Sequence, residues 1–312
     1  MPHPATGPGP RPRPHGTPGT DVPGDREAGN SVTPSGLLAI FAHPDDESFG
    51  AGGVMALAAA AGNPVWVLCA TNGDQGGRPG EVEVDHSLDP EIRREELACA
   101  CRELGVSEPI FLGYRDSGME GWGAPEGSLS RADKQEVVER ILAVIHRLHP
   151  AVIVTFDPGG VYGHPDHTAC SDTATAAYRV AAAEPGGPVA LYHQALPRST
   201  VAGMQAMQEA ERRRGDDKPP TEDDIRQAEA FIKLARPDEE ITTVVPILSV
   251  AERKIAALAC HDSQMRGRRW DDPEERAQME QMFGRETFVR VDPAPQPGER
   301  EDRFMGLKWA DS

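Results

Sequence analysis

The 312-residue sequence has few positive charges, few cysteines and no long apolar run. A membrane-spanning helix needs roughly 18 or more consecutive apolar residues, and the chain contains no such stretch. The first residues are basic, but no apolar segment of about 7–15 residues follows them, so we expect no secretory signal peptide. Lys and Arg number 32 against 50 Asp and Glu, and the net charge of -18 opposes nucleic acid or an anionic membrane as a partner.

Cysteine is scarce as well, with five residues in the whole chain. An odd number of cysteines without a secretory signal predicts reduced thiols in a cytoplasmic protein. Cys99 and Cys101 form a C-x-C pair, but their surroundings favour a helix, on which they would point about 200° apart around the axis. We therefore interpret both as small helix-packing residues rather than metal ligands.

The composition divides the chain into four parts. Residues 1–35 are rich in Pro, Gly and Arg and almost lack large apolar side chains, so we predict a disordered arm. Residues 36–195 are predicted to form a metal-binding catalytic core. Residues 196–292 would complete the fold and cap its pocket, and the Pro-rich, charged residues 293–312 would form a loosely ordered tail.

Strand-like and helix-like segments alternate through the core. Helices between successive strands predict a mostly parallel sheet that is covered on both faces. With right-handed crossovers, this is an α/β, Rossmann-like, doubly wound fold, here with a smaller C-terminal cap. A further strand is expected at 241–247 and an edge strand at 286–291. The strands predicted for the core are 37–42, 65–70, 109–112, 151–156 and 189–192.

Capping residues predict some helix boundaries. Asp89 and Pro90 have the order of an N-cap followed by proline at the first helical position. That helix should end at Leu104, because Gly105 is a typical C-terminal stop. Ser130 is the expected N-cap of the next helix.

Two clusters of imidazole and carboxylate groups follow the first and fourth predicted strands. Residues 43–47 have the sequence HPDDE, and residues 163–167 have the sequence GHPDH. Because the carboxyl ends of parallel strands meet at one edge of a sheet, the two clusters can converge in space. Together they supply three N/O ligands, an open coordination position and a spare base, as a catalytic metal site requires. This convergence indicates an enzyme rather than a binding or structural module.

The first cluster has side chains of the types that bind zinc. His43 and Asp46 stand three positions apart, within reach of one cation, and Pro44 stiffens the turn between them. Asp45 then points elsewhere and could accept a proton from a metal-bound water. Imidazole with carboxylate favours Zn²⁺, whereas an all-oxygen shell would suggest Mg²⁺ or Ca²⁺. Glu47 is interpreted as a helix cap rather than a catalytic group.

The second cluster offers two histidines on either side of Asp166. Either His164 or His167 could ligate the metal, while the other, held by a carboxylate, becomes imidazolium and stabilises an oxyanion. Each cluster alone could equally be a polar helix-capping turn. Their shared position at strand ends of one sheet favours a functional site.

The two clusters resemble the paired signatures of the LmbE/PIG-L superfamily of metal-dependent N-deacetylases. The closer resemblance is to the deacetylase and the amidase of mycothiol metabolism. Residues 115–119 (RDSGM) and 261–264 (HDSQ) are supporting matches. The resemblance covers about residues 37–192 with a patch near 250–265, and residues 204–237 contain no motif of the family.

The resemblance implies the roles of the metal-site residues. His43, Asp46 and His167 would bind zinc, with Fe²⁺ as an alternative in the cell. Asp45 would be the general base that takes a proton from the metal-bound water.

The resemblance also implies how the substrate is held. His164, oriented by Asp166, would polarise the carbonyl, and Tyr162 would lie beside the same oxyanion. Asp116, with help from Arg115, would hold sugar hydroxyls.

Two residues outside the clusters have alternative interpretations that the sequence leaves open. Arg78 follows the second predicted strand and could contact a phosphate or an inositol, although a solvated loop arginine is the simpler interpretation. His261 could reach the rim of the pocket or could be a packing histidine.

The sequence therefore predicts a zinc hydrolase that removes acetyl from an N-acetylglucosamine-type sugar. One alternative is an amidase acting on a larger acyl group, such as that of a mycothiol S-conjugate. A second, of another class, is a sugar- or nucleotide-binding regulatory module without turnover. The expected partner is a small N-acylated amino sugar or glycoconjugate, and a homo-oligomer is compatible with the sequence.

Overall fold

A computed structural model describes residues 33–76, 90–121, 123–214, 222–265 and 283–309, with 270, 272, 276, 279 and 280. None of the described helices combines the length and the apolar character that crossing a bilayer requires. The strands are β1 Leu37–Phe41, β2 Val65–Thr71, β3 Ile110–Tyr114, β4 Val152–Phe156, β5 Ala190–Gln194, β6 Thr243–Pro246 and β7 Arg285–Asp292. The helices are α1 Asp46–Gly50, α2 Gly52–Ala60, α3 Pro90–Leu104, α4 Lys134–Leu148, α5 Gly160–Gly163, α6 Pro165–Ala182, α7 Arg198–Arg214, α8 Glu222–Leu234 and α9 Ala251–Cys260.

The described strands form one sheet in the order β3-β2-β1-β4-β5-β7-β6. Strands β1 to β5 pair in parallel and β7 runs antiparallel to both of its neighbours, which confirms the predicted doubly wound sheet. The prediction that residues 286–291 form an edge strand is wrong, because β7 lies between β5 and β6. The alternation of residues in β7 indicates which face of the strand is buried. It does not indicate whether another strand pairs on each side of β7.

The strand order reverses between β1 and β4, and this position is the topological switch point of the sheet. Ligands of doubly wound proteins bind outside the carboxyl ends of the strands at such a point. Phe41 at the end of β1 and Phe156 at the end of β4 are buried and pack edge to face at 5.0 Å. Both predicted clusters therefore begin on either side of this crevice.

Strands β1 and β4 are uninterrupted apolar segments because both of their faces are covered. Every residue of these two strands is buried. Helices α4 and α6 pack together, and α9 packs on α2 and α3. With right-handed crossovers these two groups of helices lie on opposite faces of the sheet.

Phe304 packs on the sheet, although residues 293–312 were expected from their composition to form a loosely ordered tail. The Phe304 ring is fully buried and stacks on Tyr192 with ring centroids 3.9 Å apart. It also meets Phe288 edge to face at 4.8 Å. The segment is held by one buried aromatic ring. The overall composition of the segment, which is rich in charged residues, does not indicate this contact. The predicted arm, residues 1–35, lies outside the described residues except for 33–35.

The helix boundaries agree with the sequence where glycine sets them. Helix α3 ends at Leu104, and Gly105 has φ +74°, so the predicted stop is confirmed. Asp89 lies outside the described residues. Ser130 is not the cap of α4: the carboxylate of Asp133 accepts the main-chain N–H groups two and three positions on, at 2.9 and 3.1 Å. Ser130 belongs instead to a separate 3-10 turn around the buried Leu129.

The prediction that all five thiols are reduced is wrong. Cys99 on α3 forms a disulfide with Cys260, the last residue of α9, with Cα atoms 5.8 Å apart. The two residues are 161 positions apart, and their spacing in the sequence gives no sign that α9 packs on α3. Cys101 is buried and free, as expected of a packing residue, and so are Cys69 and Cys170.

Candidate metal centre and active site

Donor atoms of three residues from two distant segments meet beyond the ends of β1 and β4. The Nδ1 atom of His43 lies 3.2 Å from the Asp46 carboxylate and 3.2 Å from Nε2 of His167. The same His167 nitrogen lies 3.2 Å from the other carboxylate oxygen of Asp46. The structure thus brings together the three residues that were predicted to bind the metal, across a separation of 124 positions.

The outer nitrogen of each imidazole faces an acceptor. Nδ1 of His167 lies 3.2 Å from the carbonyl oxygen of Gly160, and Nε2 of His43 lies 3.2 Å from the carboxylate of Asp166. If each outer nitrogen donates its hydrogen to that acceptor, the inner nitrogens face each other with lone pairs. A positive charge between them would stabilise two lone pairs and a carboxylate at this spacing. The donor set therefore fits a divalent metal that favours N and O ligands.

Gly160 gives His167 its orientation and must be glycine. Its φ is +60°, and a Cβ added there would lie 2.9 Å from the Cβ of His167 and 3.0 Å from the main-chain nitrogen of Thr168. Real Cβ atoms essentially never approach this closely. The close approach places the Gly160 carbonyl against the outer nitrogen of His167.

Two buried carboxylates stand behind His43. The Asp166 carboxylate accepts hydrogen bonds from the main chain of Ser117, at 2.8 Å, and from its hydroxyl. One oxygen of Asp116 lies 3.5 Å from Nε2 of His43 and accepts the N–H of Gly118 at 2.8 Å. Burial alone would lower the pKa of His43, but these carboxylates and Asp46 raise it well above its ordinary value. The three carboxylates around His43 therefore favour a positive charge at this position.

His164 is held differently from the prediction. It is the N-cap of α6, and its Nδ1 accepts the main-chain N–H of Asp166 at 3.2 Å. Burial lowers its pKa to about 2, and the neighbouring His43 and His167 add to the effect. His164 is therefore neutral with its hydrogen on Nε2, rather than an imidazolium. The expectation that the Asp166 carboxylate orients it needs correction, since the amide of Asp166 does so and its carboxylate serves His43.

Asp45 has a strained main chain and a carboxyl with a raised pKa. Its φ is 138° and its ψ is -30°, a conformation that non-glycine residues rarely adopt. Burial raises the pKa of the carboxyl to about 6, with Arg93, whose guanidinium lies 3.2 Å away, opposing the rise and Asp46 adding to it. A carboxylate with a pKa near neutrality is matched to accepting and returning a proton.

Glu47 and His261 form a buried pair beside Asp45. One Glu47 oxygen accepts the main-chain N–H of Asp45 at 3.0 Å, and the other lies 2.9 Å from Nε2 of His261. Glu47 therefore binds the residue before α1 and faces His261, and the interpretation of Glu47 as a helix cap is wrong, because neither α1 nor α2 has a side-chain cap. His261 is completely buried at the end of α9, so it is the packing histidine and not a residue of the rim. Burial would lower the pKa of His261, but Glu47 raises it above its ordinary value.

Tyr162 lies beside both histidines of the second cluster. Its ring centroid is 5.0 Å from that of His167 and 6.2 Å from that of His164. Phe231 of α8 packs on the other side at 5.2 Å. Burial raises the pKa of Tyr162, so its hydroxyl keeps its hydrogen and can donate it. Helix α8, in the segment without a family motif, therefore covers this side of the site.

The predicted substrate-binding residues are placed unequally. Asp116 is brought to the site, where it is buried beside His43. The guanidinium of Arg115 turns to Asp74 at 2.8 Å, and its side chain is half-exposed. Arg78 lies outside the described residues.

Sequence reasoning missed three supporting residues, and only the first of them left a signal in the sequence. Asp74 follows the end of β2, so the rule that polar groups gather at strand ends could have found it. Ser117 stands within the RDSGM match but has no sign of its contact with Asp166. Arg93 is a fully buried arginine on α3, and its neighbours in the sequence do not indicate that it is buried.

Comparisons with known proteins agree with this site. The family described as PIG-L: GlcNAc-PI de-N-acetylase matches residues 38–178. A 1D-myo-inositol 2-acetamido-2-deoxy-alpha-D-glucopyranoside deacetylase from Kineococcus radiotolerans is 38% identical over 253 residues, which cover 74% of this chain and 69% of the relative. The matched family residues include both clusters.

Two solved structures share the fold. N,N'-diacetylchitobiose deacetylase from Pyrococcus horikoshii superposes with a TM-score of 0.54 and 21% identity over 84% of each chain. GalB, a 4-carboxy-2-hydroxymuconate hydratase from Pseudomonas putida, superposes with a TM-score of 0.51 and 23% identity. The superposition covers 84% of this chain and 98% of GalB. A hydratase on the same fold means that the fold alone does not determine the reaction. The similarity in sequence to the family and to the relative from Kineococcus is more specific than the shared fold. On this similarity, the chain belongs to the PIG-L family of GlcNAc-PI de-N-acetylases.

Proposed function

We propose that this protein is a metal-dependent hydrolase that removes the N-acetyl group from an N-acetylglucosamine-type sugar or glycoconjugate. The observation that carries the proposal is the mutual 3.2 Å spacing of the inward donor atoms of His43, Asp46 and His167, with Asp45 in the same loop. The relative from Kineococcus, which is named for deacetylating a 2-acetamido sugar, supports this substrate class.

The reaction needs help at two points because an acetamide is a poor electrophile. The attacking water must lose a proton near neutral pH, and the carbonyl must be polarised. A metal held by His43, Asp46 and His167, which we propose to be Zn²⁺ with Fe²⁺ as an alternative in the cell, would activate water and polarise the carbonyl. With these two effects supplied, no serine or cysteine nucleophile is required.

Asp45 is the base in this proposal. Its carboxylate accepts the proton of the attacking water and then passes it to the departing amine. The raised pKa of about 6 suits both transfers, because the group is ionised at neutral pH and still basic enough to hold a proton. The Arg93 guanidinium, 3.2 Å away, holds the carboxylate in place.

His164 and Tyr162 stabilise the oxyanion in this proposal. His164 donates from Nε2 as a neutral group, since its Nδ1 is already engaged by the N–H of Asp166. Removing one oxyanion donor typically costs about 10²–10³ in kcat. The protonated hydroxyl of Tyr162 is a second donor on the same side.

The substrate-binding roles of Asp116, Arg115 and Arg78 are part of the proposal. Asp116 would accept sugar hydroxyls with the oxygen that Gly118 does not use. Arg115 would need to leave Asp74 to assist. The partner is a small N-acylated amino sugar, and the cytoplasmic location expected from the sequence stays a prediction.

The experiment that tests this function measures release of the acid from a panel of N-acylated glucosaminides by metal-replete protein. Acetyl compounds should be the preferred substrates. Preference for larger acyl groups would favour the amidase, and binding of the sugar without cleavage of any amide would favour a regulatory module and contradict the proposal.

A further inference from the structure

We propose that Glu47 and His261 are positioning residues that hold the main chain of Asp45 in its positive-φ conformation and so direct its carboxylate toward the metal site. The inference rests on the proposed function, in which Asp45 is the base. Neither residue touches the reacting atoms in this account, and both act through Asp45.

The need for such residues arises from the conformation of Asp45. With φ at 138°, Asp45 lies in a region that favours glycine, and the surrounding structure must hold it there. Functional sites are where such conformations concentrate. If Asp45 relaxed, its carboxylate would leave the Arg93 guanidinium, which lies 3.2 Å away in the present conformation.

The Glu47 carboxylate connects Asp45 to the interior of the protein. Its Oε2 accepts the Asp45 N–H at 3.0 Å, and its Oε1 faces Nε2 of His261 at 2.9 Å and accepts the hydroxyl hydrogen of Ser48. Glu47 is 1% exposed and His261 0%. Both partners are therefore shielded from solvent, and both oxygens of the carboxylate are engaged by protein groups.

The far end of this connection is fixed to the frame of the protein. His261 follows Cys260, which is bonded to Cys99 on α3. The same helix α3 carries Arg93, which binds the Asp45 carboxylate at 3.2 Å and the carbonyl of Pro44. Two covalently joined helices thus hold Asp45, one through its main chain and the other through its side chain.

The competing interpretation is that Glu47 and His261 are an ordinary buried ion pair. A second buried pair provides the comparison, because Lys254 and Glu286 also join α9 to the rest of the fold, at 1% and 3% side-chain exposure. Lys254 donates to the carbonyl of Phe49, and Glu286 accepts the first N–H groups of α2. This pair supports the same region without a bond to Asp45.

The test compares His261→Gln with His261→Asn in the full-length, metal-replete protein, using an N-acetylglucosaminide. A glutamine amide can take the place of Nε2 and reach Glu47, whereas an asparagine amide is too short. His261→Gln should keep kcat near the wild-type value, and His261→Asn should lose about 100-fold, the typical cost of a misplaced catalytic group. KM and one bound metal per chain should stay unchanged in both.

Three further variants separate positioning from a general loss of stability. Glu47→Ala should lose kcat as His261→Asn does, and Glu47→Gln, which can still accept the Asp45 N–H, should recover most of it. Lys254→Met should lower Tm and leave kcat unchanged. Equal kcat in the Asn and Gln variants of His261, or a kcat loss in Lys254→Met as large as in Glu47→Ala, would overturn the inference.

A double variant shows whether Glu47 acts through Asp45. Adding Glu47→Ala to Asp45→Ala should cause no further loss of kcat, since the group being positioned is already gone. Additive losses would overturn the inference and leave the proposed function standing. Full activity of Asp45→Ala alone would instead remove Asp45 as the base, so the two failures are distinguishable.

Discussion

The loop after β1 and the loop after β4 each bring a histidine and a carboxylate to the site, but they are held by different kinds of contact. Side chains from distant helices fix the β1 loop: Arg93 reaches Asp45, and His261 reaches Glu47. Main-chain groups fix the β4 loop, where the Gly160 carbonyl faces His167. The catalytic role of the β1 loop should therefore depend on side chains that are remote in the sequence. The metal-binding role of the β4 loop should depend on the geometry of its own main chain.

The largest expected effect lies in the β1 loop. Asp45→Ala should lower kcat by about 10²–10⁴-fold, the usual contribution of a general base, because the attacking water loses its proton acceptor. Steady-state kinetics with an N-acetylglucosaminide will measure it. Metal content should stay at the wild-type level, and wild-type kcat in this variant would remove Asp45 from the mechanism.

The corresponding change in the β4 loop is His164→Ala. Because it removes one oxyanion donor, kcat should fall by about 10²–10³-fold. His146→Ala is the matched control, since that histidine lies on the surface and pairs with Glu184 at 2.8 Å. Equal kcat values for the two alanine variants would contradict the role of His164.

A backbone change should weaken the β4 loop alone. Gly160→Ala forces a Cβ within 2.9 Å of the His167 Cβ and so displaces a proposed ligand. Metal affinity should fall by about 10–100-fold, the typical effect of disturbing a ligand's supporting contact. Competition with a chelator measures this, and Gly203→Ala is the control because a Cβ there meets no atom within 4 Å. Unchanged affinity would show that the β4 loop tolerates movement of its backbone.

The smallest effect belongs to neither loop. Burial lowers the pKa of His193 on β5 to about 4, so the folded state resists protonation more than the unfolded state does. Its contribution to stability is complete above the ordinary histidine pKa of about 6.5 and is lost as the pH falls from there toward 4. Between pH 8 and pH 6 the free energy of unfolding should drop by about 1 kcal/mol more in the wild type than in His193→Gln. Urea unfolding at both pH values measures it, and identical drops would contradict the assignment.

The sequence predicted best where chemistry and topology coincide. Residues 43–47 and 163–167 could be placed together because parallel strands end at one edge, and the structure brings His43 and His167 to 3.2 Å. The strand segments and the Gly105 stop were also predictable, since apolar runs and positive-φ glycines are local signals. The roles of these residues in binding metal stay predictions.

The supporting contacts could not be predicted because they depend on long-range packing. The bond between Cys99 and Cys260 and the pairing of Glu47 with His261 each join residues more than 150 positions apart. No local pattern marks such partners. The carboxylate contact expected of His164 is also absent from any local pattern's reach: its Nδ1 instead accepts the main-chain N–H of Asp166 in the first turn of α6.

The most direct test of the account is the metal content of purified Asp46→Ala and His167→Ala beside that of Asp45→Ala, measured by elemental analysis after equal exposure to Zn²⁺. The account predicts about one metal per chain in the wild type and in Asp45→Ala, and a marked loss in the other two, because donor atoms of His43, Asp46 and His167 lie 3.2 Å from one another. Full metal content in Asp46→Ala or His167→Ala would contradict it.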